Sequence, residues 1–99
     1  MPELRAAPDS VIYAYGQRTG RVIVDVDGDF NESKYPPGPL NPGIIRFNSR
    51  RDDDAALFAM FRKFWQSGLR KHAKNSITYL TSGRVRINRA GAEPLISSL

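Results

Sequence analysis

A proline-rich segment constrains the fold of this 99-residue chain more than any other feature. Residues 27–43 hold four of the seven prolines. The run Y-P-P-G-P-L-N-P-G at 35–43 excludes a helix and a central strand, because proline lacks a backbone donor and fixes φ. The segment is therefore predicted to be an extended, stiff loop that separates two regions of regular structure.

On the N-terminal side of this loop, hydrophobic patterns indicate two strands joined by a short turn. The run V-I-Y-A-Y at 11–15 is rich in β-branched and aromatic residues, which favours a strand. Residues 21–27 alternate so that Val22, Val24 and Val26 share one face. We expect a hairpin here, with a five-residue connection, and a third strand at 44–48 after the loop.

The strongest local pattern is an amphipathic helix that follows the third strand. Ser49 precedes Asp52 at a capping-box spacing, and aspartates 52–54 lie where a helix dipole favours negative charge. Gly68 is a typical residue to end the helix. The apolar stripe, which we expect in the core, consists of Leu57, Phe58, Met60, Phe61, Phe64 and Trp65.

A second hairpin is predicted near the C-terminus. The dipeptide Ser82-Gly83 separates two strand-like runs at 77–81 and 84–88, a typical signal for a two-residue turn. That register gives a buried face with the pairs Leu80–Val85 and Thr78–Ile87. It gives an outer face with the pairs Ile77–Asn88, Tyr79–Arg86 and Thr81–Arg84, and a different loop length would exchange the two faces.

Together these elements predict an α+β fold. We expect a small, mostly antiparallel sheet of about five short strands, in the order β-β-loop-β-α-β-β, with one amphipathic helix packed on one face. Residues 1–10 are expected to form a leader, 11–89 a single domain, and 90–99 a tail that could dock. One helix covers only one face, so Tyr13, Tyr15, Ile77 and Tyr79 are expected on an uncovered face that suits a partner or a homodimer.

Positive charge is concentrated in the C-terminal half. The chain has a net charge of +5, and residues 62–89 contain eight Lys and Arg and no acid. Such a cluster attracts phosphates through counterion release, and Tyr79 adds a stacking surface. This predicts a nucleic-acid-binding accessory protein, of the kind that phages and plasmids encode. The candidate contacts are Arg62, Lys63, Arg70, Lys71, Lys74, Tyr79, Arg84, Arg86 and Arg89.

The same charges fit a protein-interaction module, such as an inhibitor or adaptor that docks on an acidic partner. The proline-rich loop contains two overlapping P-x-x-P patterns that could enter an aromatic groove. The candidate anchors in this alternative are Tyr35, Pro36, Pro37, Pro39 and Leu40.

An enzyme is the third and least favoured hypothesis. His72, the single histidine, could act as a base in a small nuclease or toxin, but no second histidine, cysteine or nucleophile pattern accompanies it. D-V-D-G-D at 25–29 begins like a calcium-binding loop, yet Phe30 replaces the required glycine and Pro36 the bidentate glutamate. We therefore predict no metal and no cofactor.

The composition also bears on the compartment. The sequence contains no cysteine, which excludes disulfides and thiolate chemistry. No apolar run reaches the roughly 18 residues of a membrane span, and the first ten residues lack the apolar core of a signal peptide. We expect a cytoplasmic protein without membrane partners.

Overall fold

The computed structural model describes residues 9–25, 30–47, 54–81 and 83–98. The predicted α+β class and the five-stranded sheet are confirmed. A 3₁₀ turn, Leu69–His72, follows the second helix. The other elements are α1 (Asp9–Thr19), β1 (Ile23–Asp25), β2 (Ile44–Phe47), α2 (Asp54–Gln66), β3 (Ile77–Thr81), β4 (Arg84–Asn88) and β5 (Leu95–Ser98).

The strand order in the sheet follows the chain, β1-β2-β3-β4-β5. Strands β1, β2 and β3 run parallel to one another, whereas β4 is antiparallel to both of its neighbours, β3 and β5. The predicted register of the β3–β4 hairpin is confirmed, with Thr81 opposite Arg84 and Leu80 opposite Val85. Gly83 has φ 78°, the left-handed conformation that a tight hairpin turn requires.

The predicted N-terminal hairpin is wrong, because residues 11–15 lie inside α1. β-branched and aromatic residues favour strands only weakly, and packing overrides this preference. The two glycines that suggested a turn have other roles. Gly20 has φ 68° and Arg21 N donates to Gly16 O at 3.1 Å, which is the Schellman ending of a helix. Gly16 is buried where a Cβ would lie 3.1 Å from Pro42 Cγ, so it allows α1 to approach the loop closely.

In β1 the face that carries Ile23 and Asp25 is the buried one, whereas Val24 is 49% exposed. Ile23 belongs to a core cluster with Ile44 and Ile77, its partners in the neighbouring strands. Alternation alone shows which residues share a face, but the position of α1 and the loop decides which face is covered.

Two core clusters lie on opposite faces of the sheet. The first contains Leu57, Met60 and Phe64 of α2 together with sheet residues that include Ile45 and Leu80. The second contains Ile44 and Ile77 together with Phe30 and Tyr35 of the proline-rich loop, and Ile12 and Tyr13 of α1 pack against it. Ile77 is therefore fully buried and not on an uncovered face. The covering elements are the proline-rich loop and α1, and the sequence pattern assigned residues of α1 to a strand.

Helix α2 differs from the predicted stripe at two aromatic positions. Phe58 is 65% exposed and Trp65 is also exposed, so neither lies in the core. The Trp65 ring stacks on Phe61 with centroids 5.5 Å apart. Gly68 has φ 86°, as its predicted position at the helix end requires. The predicted cap, Ser49 and Asp52, lies outside the described residues.

Side-chain amides hold the proline-rich loop in place. Asn41 is buried, and its Nδ2 donates to the carbonyl oxygens of Tyr35 at 3.2 Å and Pro36 at 3.0 Å. Its Oδ1 accepts from Gly43 N at 2.8 Å. These bonds give the loop carbonyls hydrogen-bond partners outside a regular ladder, and they fix the conformation of the loop.

Candidate nucleic-acid interface

The antiparallel half of the sheet presents residues of one face to solvent. The register aligns Tyr79, Arg86 and Ile96 in one cross-strand row, and Thr81, Arg84 and Ser98 in the next. Directly opposed residues of antiparallel strands point to the same side. We call this surface the open face, and its residues are Tyr79, Thr81, Arg84, Arg86, Asn88, Ile96 and Ser98.

The exposure of these residues follows from what covers the sheet. On this side the second core cluster draws its sheet residues from β1, β2 and β3. Arg84, Arg86 and Ser98 on β4 and β5 are exposed, and Ile96 is 65% exposed. The open face therefore combines two exposed guanidinium groups with an apolar side chain.

A depression of about 360 Å³ lies within the open face, lined by Tyr79, Thr81, Arg86 and Asn88. Arg86 Nε donates to Asn88 Oδ1 at 3.0 Å, which orients the guanidinium along β4. Since an arginine carries five N–H donors, this bond leaves others for a ligand. The depression thus offers charged and hydroxyl donors in one place.

Glu32 of the proline-rich loop lies at the border of this depression. Its Oε1 accepts hydrogen bonds from the Tyr79 hydroxyl at 2.9 Å and from Asn88 Nδ2 at 2.8 Å. The Arg46 guanidinium lies over the Tyr79 ring, 5.5 Å from its centroid, and its Nε is 3.5 Å from an Asp25 oxygen. One face of the tyrosine ring is thus already in contact with a cation, which restricts stacking to the other face.

These neighbours also hold the Tyr79 hydroxyl in its protonated form. Burial raises the pKa of Tyr79 above its ordinary value of 10.0, and the hydrogen bond to the Glu32 carboxylate and that group's negative charge raise it further. Arg46 acts in the opposite direction and lowers the same pKa. The hydroxyl is therefore a stable hydrogen-bond donor at neutral pH.

A second group of cations lies at the end of the sheet where β3 begins. We call it the basic depression, and it has a volume of about 380 Å³. Asn88 on the open face and Arg89 in the basic depression are consecutive, so the two surfaces meet at the end of β4. The lining residues are Gly38, Pro39, Lys71, His72, Lys74, Asn75, Ser76, Arg89 and Ala90.

The nine predicted nucleic-acid contacts do not share one surface. Arg62 and Lys63 are exposed on α2, which packs on the opposite side of the sheet. Arg70 lies over the Trp65 ring at 5.2 Å, also next to α2. The structure brings together Tyr79, Arg84 and Arg86 on the open face, and Lys71, Lys74 and Arg89 in the basic depression.

The loop residues of the protein-partner hypothesis are also divided. Tyr35 is only 6% exposed, with its ring 4.6 Å from Tyr13 and 5.2 Å from Phe30, so it is not available as a surface anchor. Leu40 is 78% exposed. Pro36, Pro37, Pro39 and Leu40 line a depression of about 320 Å³ beside α1.

Sequence reasoning missed the role of Glu32 in this site. Nothing local to the loop indicates that its carboxylate reaches Tyr79, 47 positions along the chain. Asn88 was predictable, because the hairpin register places it on the same face as Arg86. The register of a hairpin therefore predicts which strand residues share a face, whereas the sequence pattern does not predict the path of a long loop.

Comparison with known proteins adds no relative: no protein-family model, no curated protein and no solved structure matches the chain.

Within the described ranges, no group of three His, Asp or Glu side chains could hold a metal ion. In the same ranges, neither helix has the length and apolar character needed to cross a membrane.

Proposed function

We propose that this chain is a small nucleic-acid-binding protein that contacts a single strand across its open face. The observation that carries this proposal is the placement of Arg84 and Arg86, exposed on the same face of β4 and next to the hydroxyls of Thr81 and Tyr79. Guanidinium groups form charge-assisted hydrogen bonds to phosphate oxygens.

The spacing of these groups suits a polymeric ligand. Alternate residues of one strand lie about 6.8 Å apart, so Arg84 and Arg86 present two successive cations along β4. Neither forms an ion pair within the described part of the chain. The net charge of +5 supports the approach of a polyanion through long-range attraction.

A single strand fits this surface better than a duplex does. Proteins that read the duplex major groove insert a helix or a two-stranded ribbon, whereas an open sheet face offers a platform on which unpaired bases can lie. Ile96 and the accessible side of the Tyr79 ring provide apolar surface for such bases. The cations beside them would contact the backbone.

A charge-matched pair of double variants tests the proposal. R84Q/R86Q removes two positive charges from the open face, and R62Q/K63Q removes two from the outer side of α2. Fluorescence anisotropy with a labelled single-stranded oligonucleotide, repeated across salt concentrations, gives affinity and salt slope for each protein. We plot the logarithm of the binding constant against the logarithm of the salt concentration. We expect R84Q/R86Q to reduce the magnitude of the slope by about 1.4, the value for two lost phosphate contacts. We expect R62Q/K63Q to leave the slope near that of the unmodified chain. Equal effects of the two variants, or no salt-dependent binding at all, would contradict the proposal.

The exposure of Leu40 favours a second function, docking on a protein partner through the proline-rich loop. Leu40 lies beside an apolar depression, a combination that can anchor a partner at a hot spot. The test is a pull-down from nuclease-treated lysate with the unmodified chain and with Leu40→Ser. A partner retained by the first and lost by the second supports this function, and equal retention argues against it.

A further inference from the structure

The basic depression is lined by four basic side chains and by no acidic one. The four are Lys71, His72, Lys74 and Arg89. Within the described part of the chain, none of these four side chains takes part in an ion pair. By contrast, the depression on the open face has the Glu32 carboxylate at its border. The two sites therefore differ in the charge of the ligand that they favour.

The walls of the basic depression are fixed by hydrogen bonds between distant segments. Gly38 N donates to Asn75 O at 3.0 Å, and Asn75 Nδ2 donates to the carbonyls of Asn41 at 2.7 Å and Pro39 at 3.2 Å. Asn75 adopts φ 63°, a left-handed conformation that asparagine tolerates better than most residues. These bonds hold the loop wall against the turn that carries Lys74, so little order needs to be gained when a ligand binds.

Arg89 contributes a donor that has no protein partner. One terminal nitrogen donates to Glu93 O at 2.7 Å, which fixes the guanidinium at the end of β4. Its Nε is buried and makes no hydrogen bond. A guanidinium carries five N–H donors, so terminal N–H groups of Arg89 remain for a ligand in the depression.

We propose that the basic depression binds a phosphate monoester, carried either by a free nucleotide or by the phosphorylated end of a nucleic-acid strand. A monoester has a charge of about −1.5 to −2 near pH 7, more than the single charge of an internal phosphodiester. Lys71, Lys74 and Arg89 match it with three cations, and His72 adds a ring N–H donor. The volume of about 380 Å³ accommodates a sugar next to the phosphate.

This proposal is independent of strand binding on the open face, because the two surfaces use different residues. Titration with adenosine 5′-monophosphate, followed by the backbone amide NMR signals of residues 71–76 and 89–90, tests it directly. We expect saturable shifts confined to the basic depression, and no such shifts with adenosine, which lacks the phosphate. Equal shifts with both compounds, or shifts spread over the whole surface, would overturn the proposal.

Charge-matched variants distinguish specific binding in the basic depression from attraction of the phosphate by the net charge of the protein. K71Q/K74Q removes two exposed cations from the depression, and we expect it to weaken monophosphate binding about tenfold through the loss of charge-assisted contacts. R62Q/K63Q and R84Q/R86Q should each change it less than about twofold, since their residues lie outside the depression. A similar loss in all three variants would show attraction by net charge alone and overturn the proposal. If monophosphate binding persists in R84Q/R86Q while strand binding is lost, the two functions are separate.

Oligonucleotides distinguish the two sources of the phosphate. If the ligand is a strand end, a 5′-phosphorylated oligonucleotide binds more tightly than its 5′-hydroxyl counterpart, and K71Q/K74Q removes that difference. If the ligand is a free nucleotide, the monophosphate binds but the two oligonucleotides have equal affinity. Both results support a monoester site. Failure of the monophosphate and equal affinity of the oligonucleotides together refute it.

Discussion

The two halves of the sheet differ in how they are covered. The parallel strands β1, β2 and β3 supply residues to both core clusters, and Ile44, Ile45 and Ile77 are fully buried. Strands β4 and β5 have one face toward α2, with Val85 and Ile87 in the first cluster, and the other face exposed to solvent. This contrast agrees with the general behaviour of sheets, since parallel strands are normally covered on both sides whereas antiparallel strands tolerate water on one.

The contrast indicates where binding chemistry can develop in so small a domain. In the covered half, strand residues on both faces pack in the core, except at the exposed Val24 and Thr81. The buried Asp25 is paired with Arg46. In the open half, the alternation of β4 assigns Val85 and Ile87 to the core and leaves Arg84 and Arg86 for a ligand. One strand thus supplies both core residues and the cations of the proposed interface, because its successive residues point to opposite faces.

The largest expected effect comes from truncating an isoleucine in each half. Ile77→Ala removes a fully buried side chain from the covered half and should lower the free energy of unfolding by about 2–5 kcal/mol. Ile96→Ala, on the open face, should change it by about 0.5 kcal/mol or less. Urea denaturation of both variants measures the difference. If the two variants lost similar free energies of unfolding, Ile96 would be covered in solution. The division of the sheet into a covered and an open half would then be wrong.

The halves also differ in how well the sequence predicts them. The β3–β4 hairpin and the end of α2 follow from local signals, because Ser82-Gly83 sets the register and Gly68 ends the helix. In the helical run at 11–15, Ile12 and Tyr13 pack against the second core cluster, and local preferences contain no information about that contact. Parallel pairing joins residues that are far apart in sequence, so no turn specifies it.

The candidate sites show the same division. Arg84 and Arg86 were predictable as neighbours on one face from the alternation of β4 alone. It was not predictable that Arg62 and Lys63 lie away from these two arginines, because their position depends on which side of the sheet α2 occupies. Lys74 and Arg89 come close because the hairpin register places Asn88 opposite Ile77. The loop wall of Gly38 and Pro39, which Asn75 holds by hydrogen bonds, follows from no local pattern.

The next largest effect concerns glycines with left-handed backbones. A Cβ on Gly43 would lie 2.6 Å from the carbonyl oxygen of Ala73, and φ is 109°. Gly43→Ala in the covered half should therefore cost about 2–4 kcal/mol, from strain and from displaced backbone. Gly91→Ala, in the connection between β4 and β5, has φ 70° and open space around the new Cβ, so only the conformational cost of about 1–2 kcal/mol applies. Thermal denaturation of both variants checks this ranking, which equal losses would contradict.

The smallest expected effect lies at the border between the halves, where Glu32 meets Tyr79. Glu32→Gln removes the carboxylate charge, so the pKa of Tyr79 should fall toward its ordinary value. Tyr13, in the covered half, has a pKa raised by burial and by Tyr35, and it should not change. Absorbance titration of the tyrosines, with Tyr79→Phe for assignment, measures this difference. The observed contact would be contradicted if the pKa of Tyr13 fell in the variant, or if the pKa of Tyr79 stayed unchanged.

The same shift predicts how stability depends on pH. Tyr79 holds its proton more strongly in the folded chain, so above about pH 10 the unfolded state binds fewer protons than the native state. The free energy of unfolding should therefore be highest below the unfolded pKa of the tyrosine and fall as the pH rises through the folded one. Glu32→Gln should make this fall smaller, because it brings the folded pKa closer to the unfolded one. Urea denaturation at pH 8 and at pH 11 checks the sign, and a fall of undiminished size in the variant would mean that Glu32 does not set the proton affinity of Tyr79.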